Sequence, residues 1–160
     1  MTLDGVRNPR LFVWTSSLAA LMLQSLPLSK MLSILWPQFF VLCVLYWSTM
    51  APRVGDILIA FLGGLVLDVL QGTQLGQHAL ALSLVAYLAI RFHLMTRAKP
   101  LFEQTLLVVL ILAIYEGVLW AIDGWSGLQA RNWERWMHII PGAICWPLIV
   151  GLLGRLHAPR

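Results

Sequence analysis

Charge is what this chain has least of. Only 11% of its 160 residues are Asp, Glu, Lys or Arg, while 59% are hydrophobic. Soluble domains carry roughly 25% charged and 45–50% apolar residues. A soluble fold of this length exposes too much surface for so few polar groups to cover. That excludes an ordinary water-soluble domain and places the chain in a bilayer. No polar stretch is long enough for a separate soluble unit, so residues 1–160 read as one membrane domain.

Cysteine is scarce too. Cys43 and Cys145 both fall inside apolar runs, where a thiol behaves as a small hydrophobe. This excludes a disulfide framework and a cysteine-based metal site. The net charge is +4, yet the eleven Lys and Arg residues are scattered. With no basic run and no aromatic-basic stripe, they read as caps of membrane helices rather than contacts to nucleic acid. GxxxxGK[ST], GxSxG, HExxH and CxxC are all missing. His78, His93, His138 and His157 are dispersed along the chain. With such short loops, the expectation is a protein that is not an enzyme and takes no cofactor and no metal.

What is present is a series of apolar runs. About 20 apolar residues cross a hydrocarbon core, with a range of roughly 17 to 25. Six spans are expected, at 11–28, 31–49, 55–72, 76–96, 101–122 and 137–156. The first run follows Arg7 and Arg10 but is close to spanning length and lacks a small-residue cleavage site. It therefore reads as a retained helix, not a signal peptide. With a cytoplasmic N-terminus, the inner segments hold Arg7, Arg10, Arg53, Arg91, Arg97, Lys99, Arg155 and Arg160, and the outer ones only Lys30, Arg131 and Arg135. That bias puts both termini inside. Asp56 then marks the inner start of the third span, at the positive end of its helix dipole. The longest outer loop contains Trp133 and Trp136 beside Arg131 and Arg135. It fits either a short helix lying on the membrane surface or a loop with an aromatic belt.

The stretch GGLVLDVLQGTQLGQHALALSLVAY, residues 63–87, carries the most information. Ala60, Gly64, Asp68 and Gly72 form one i, i+4 stripe; Gly76, Ala79, Ser83 and Ala86 form another at spacings of three and four. Small residues permit close helix approach in lipid, where apolar burial cannot drive pairing. The two stripes read as facing sides of a tight hairpin, with GTQLG as its turn. Gly72 and Gly76 straddle that turn, so their GxxxG spacing is not a dimerisation motif.

An aspartate at mid-membrane costs about 2.5–3.5 kcal/mol on insertion scales, so Asp68 needs a partner. His78, Gln71, Gln77 and the backbone N–H groups of residues 76–78 are candidates. Asp68 then either locks the hairpin or binds a ligand, a proton or a partner protein. Glu116 is the second intramembrane acid, beside Tyr115 and one turn from Trp120. It reads either as a structural hydrogen-bonding group or, with Asp68 and His78, as part of a relay or substrate pocket. The interaction candidates are thus Asp68, Gly64, Gly72, Gly76, His78 and Glu116.

LYWSTMAPRVG, residues 45–55, followed by residues 63–88, resembles the bacterial rod shape-determining protein MreD family. The matching elements are Leu45-Tyr46-Trp47, Pro52-Arg53, Gly64, Leu67-Asp68, Gly72, Leu75-Gly76 and 79–88, with PLFEQTLLVV and Trp146-Pro147 further on. The resemblance covers residues 11–156, most specifically the middle third. It implies a multi-pass protein of the bacterial inner membrane, without chemistry of its own, in the peptidoglycan-elongating Rod complex. It also implies MreC as partner, with RodA, a penicillin-binding transpeptidase and MreB reached directly or through MreC, in contact with membrane lipid. The implied fold resembles the six-helix substrate-binding subunits of ECF-type vitamin transporters. Such a likeness does not transfer function. The rival reading is the small-molecule-binding subunit of a membrane transporter.

Overall fold

A computed structural model describes residues 9–26, 29, 35–52, 57–127 and 133–157. Among them all regular structure is helical: α1 (Pro9–Gln24), α2 (Phe39–Met50), α3 (Ile57–Gln71), α4 (Gln77–Arg97), α5 (Leu101–Trp125), a 3-10 helix (Trp133–His138) and α6 (Ile139–His157). Pro100, extended at φ −63° and ψ 156°, starts α5 where a missing N–H costs nothing. Pro147 lies inside α6, a placement membrane helices tolerate because neighbouring groups satisfy the freed carbonyl.

α2 forms the centre. Every residue from Phe40 to Thr49 is buried, as expected of a helix apolar all round. α1, α4 and α6 pack against it, and α3 and α5 against α4. The periphery is studded with exposed Leu58, Phe61, Val69, Leu94, Phe102 and Leu148. Apolar exposure on this scale marks a surface made for lipid, not water.

The α3–α4 hairpin shows how small residues set the packing. Ala60, Gly63, Gly64, Leu67 and Asp68 are buried on α3; Ala79, Leu82, Val85 and Ala86 are buried on α4. A Cβ on Gly64 would collide with the Ala79 backbone and lie 2.8 Å from the His78 carbonyl carbon. One on Gly63 would strike the Phe40 ring of α2. Ser83 turns its hydroxyl back to the Ala79 carbonyl at 2.7 Å. The turn needs glycine for another reason: Gly72 and Gly76 have φ of 64° and 98°, a region L side chains avoid. Gly72 is exposed, so it ends the helix rather than extending the packed stripe. The Thr73 N–H reaches back to the Asp68 carbonyl at 3.0 Å, the six-to-one bond of a glycine-terminated helix.

The lengths depart from the expected spans. Residues Gln77–Arg97, Leu101–Trp125 and Arg135–Arg155 are long and apolar enough to cross a membrane; α2 and α3 are shorter apolar helices of 12 and 15 residues. α1 has 16 residues and ends at Gln24, short of residue 28. The second expected span, 31–49, differs most: residues 36–38 are not helical and α2 starts only at Phe39. Pro37 is the reason, since the residue before a proline is pushed out of the helical region. The candidate surface helix is a 3-10 turn, and Arg131 and Asp56 lie outside the described residues.

Candidate functional site

The ends of α1 and α3, the second half of α5, the segment before α2, the start of α4 and the 3-10 helix meet around one polar cavity of about 370 Å³. Its wall includes the non-helical Trp36, Pro37 and Gln38. Irregular backbone at membrane depth is tolerated where it borders protein or a cavity. The break is held on several sides. Gln24 Oε1 accepts the Phe40 N–H at 2.9 Å, which caps α2 from a neighbouring helix. Trp36 Nε1 donates to the Leu23 carbonyl at 3.1 Å, and His138 Nδ1 lies 3.4 Å from the Trp36 carbonyl.

Behind one side of the cavity sits Asp68, 1% exposed. Its Oδ1 accepts the His78 N–H at 2.9 Å and the Thr73 hydroxyl at 3.0 Å, and lies 2.8 Å from His78 Nδ1. Its Oδ2 accepts the Gly76 N–H at 2.8 Å. A neutral His78 therefore carries its proton on Nδ1. The carboxylate ties the end of α3 to the first turn of α4, whose free N–H groups favour an anion. Gly76, His78 and Asp68 are thus brought together. Gln71 lies on the exposed end of α3, and the Asp68 carboxylate is met by Thr73, Gly76 and His78 instead. Gln77 turns instead to α5, donating to Asp123 Oδ1 at 2.7 Å.

Glu116 is buried to the same degree, 1% exposed, and lines the cavity. Its Oε1 accepts from Gln38 Nε2. Its Oε2 is buried and, among the described residues, has no hydrogen-bond partner. Asp68 and Glu116 have separate hydrogen-bond partners, and His78, bonded to Asp68, forms a tilted ring pair with Tyr115, the neighbour of Glu116, centroids 6.3 Å apart. A direct two-carboxylate centre is therefore absent. Arg135 also borders the cavity but is held by Asp123, which its guanidinium pairs with. That pair folds the 3-10 turn against α5. Among the described residues, no group of three His, Cys, Asp or Glu side chains converges on a metal site.

Gln38, Thr73, Asp123 and Arg135 escaped the sequence reading as site residues. Thr73 is local, five residues from Asp68, and a hydroxyl in a turn after a buried acid is a usable signal. Pro37 signals the break that exposes Gln38. The Asp123–Arg135 pair joins separate elements across a loop and leaves no periodic trace.

A family model described as rod shape-determining protein MreD matches residues 7–156. The rod shape-determining protein MreD of Haemophilus influenzae is 29% identical over 138 residues, covering 86% of this chain and 85% of its own. No solved structure matches the chain.

Proposed function

The chain belongs to the rod shape-determining protein MreD family, and from that premise we propose that it is a non-enzymatic, multi-pass inner-membrane subunit of the cell-wall elongation machinery. Membership supports a role in determining rod shape and in a membrane setting. In this reading all six helices cross the bilayer as one domain with both termini cytoplasmic. The positive residues favour that orientation. The hairpin turn and the polar cavity then lie at the outer face.

The protein binds MreC and, through it, helps organise RodA, the penicillin-binding transpeptidase and MreB. The observation carrying this reading is the family match across nearly the whole chain. The hairpin suits a recognition element, because Asp68 fixes the turn through two backbone N–H groups and a hydroxyl. A rigid surface loses little conformational entropy on binding.

The test is to express the tagged chain in a rod-shaped bacterium depleted of its own MreD. Restored rod shape, with MreC recovered in mild detergent, is the expected result. Round cells with no wall protein recovered would overturn it. One observation favours a second reading, a transporter's small-molecule-binding subunit: the cavity itself. Recovery of an ATPase module in place of wall proteins would select that reading.

A further inference from the structure

Glu116 lines the polar cavity and, among the described residues, leaves one acceptor unfilled. A buried polar atom without a partner forfeits roughly 1–3 kcal/mol, more when charged. Asp123 answers Arg135, and Asp68 is filled by Thr73, Gly76 and His78. Among the described residues, the Glu116 carboxylate is the charge lining the cavity that lacks a cationic partner. An anionic guest would meet it and Asp68 with like charge, and an apolar guest would leave Oε2 unfilled. A cation with N–H donors satisfies both the charge and the empty acceptor. Trp36 and Tyr115 also line the cavity, and aromatic faces attract such a cation.

The volume admits such a guest. About 370 Å³ is many times the roughly 10–15 Å³ that one water needs on the same measure. That accommodates an ammonium group on a short polar body. We infer that the cavity is a binding site for a primary ammonium group, carried by a small free amine or by an aminated lipid headgroup, with Glu116 as counter-ion and Trp36 as aromatic wall. Gln38, half-buried and the present donor to Glu116, shifts aside to admit it. The site stands whichever proteins assemble with the chain.

The test uses the full chain in nanodiscs of phosphatidylglycerol alone, with thermal unfolding followed as ethanolamine is added; a second preparation includes phosphatidylethanolamine. Saturable stabilisation by ethanolamine identifies a free amine as ligand. Stabilisation by phosphatidylethanolamine alone identifies the headgroup. In either case Glu116→Gln weakens the response at least about tenfold, equivalent to about 1.4 kcal/mol, and Trp36→Leu weakens it about threefold. No stabilisation from either source overturns the proposal, as does an equal response from uncharged ethylene glycol or from Glu116→Gln. Should Glu116→Gln not fold, Gln38→Ala decides: it frees Oε1 and strengthens binding, and an unchanged response in both Gln38→Ala and Trp36→Leu refutes the site.

Discussion

Asp68 and Glu116 are both 1% exposed, both on apolar helices, and both at the same end of the bundle. Their surroundings differ. Asp68 collects two backbone N–H groups, a hydroxyl and an imidazole nitrogen. Among the described residues, Glu116 has a single amide donor and one empty oxygen. The difference comes from position. Asp68 lies at the closing turn of a hairpin, where the opening turn of α4 has N–H groups in need of acceptors. Glu116 lies within α5, where the local N–H groups are already spent on the helix, so donors must come from a distant element. A buried carboxylate at a helix junction is filled by the backbone. One in mid-helix depends on side chains from elsewhere, here Gln38.

The largest expected effect tests the frame that holds Asp68 in place. Gly64→Val puts a branched side chain into the Ala79 backbone, and since overpacking already costs about 1–3 kcal/mol where side chains can yield, this variant should fail to fold in detergent. Asp68→Ala comes next: it strands the Gly76 and His78 N–H groups and should cost roughly 2–5 kcal/mol in reversible unfolding. Asp68→Asn keeps an acceptor and should retain about half of that stability; equal losses for Asn and Ala would mean that charge, not hydrogen bonding, holds the turn.

Arg135→Gln removes the partner of a partly buried acid and should cost about 1 kcal/mol, read as earlier protease cleavage in the loop that follows α5. The smallest effect sharpens the contrast most. Glu116→Gln keeps an acceptor for Gln38 and removes a charge that has no second donor, so unfolding stability should change by less than about 0.5 kcal/mol. A loss comparable to that of Asp68→Ala would erase the distinction between the two acids.

Much of the hairpin was legible in the sequence. Gly64 and Ala79 stand at the crossing because helical periodicity fixes which residues share a face, and only small ones permit that approach. The turn glycines were legible because no other residue takes their backbone angles freely. The cavity was not. Gln38, Glu116, His78, Arg135 and His138 come from three helical elements and a break between helices, and no local pattern specifies which distant donors will meet. His78 and His138, far apart in the chain, line the same space.

By itself, then, the sequence determined that this chain is helical and membrane-bound, where its helices turn, and which small residues bring two of them together. Those properties follow from transfer energetics and local backbone geometry, which act over a few residues at a time. Only the tertiary structure decided that Gln38 meets Glu116, that Arg135 is committed to Asp123, and that one acid is filled while the other is open. These depend on how helices distant in sequence converge at one end of the bundle, where each buried polar atom is satisfied by whichever neighbour the packing delivers.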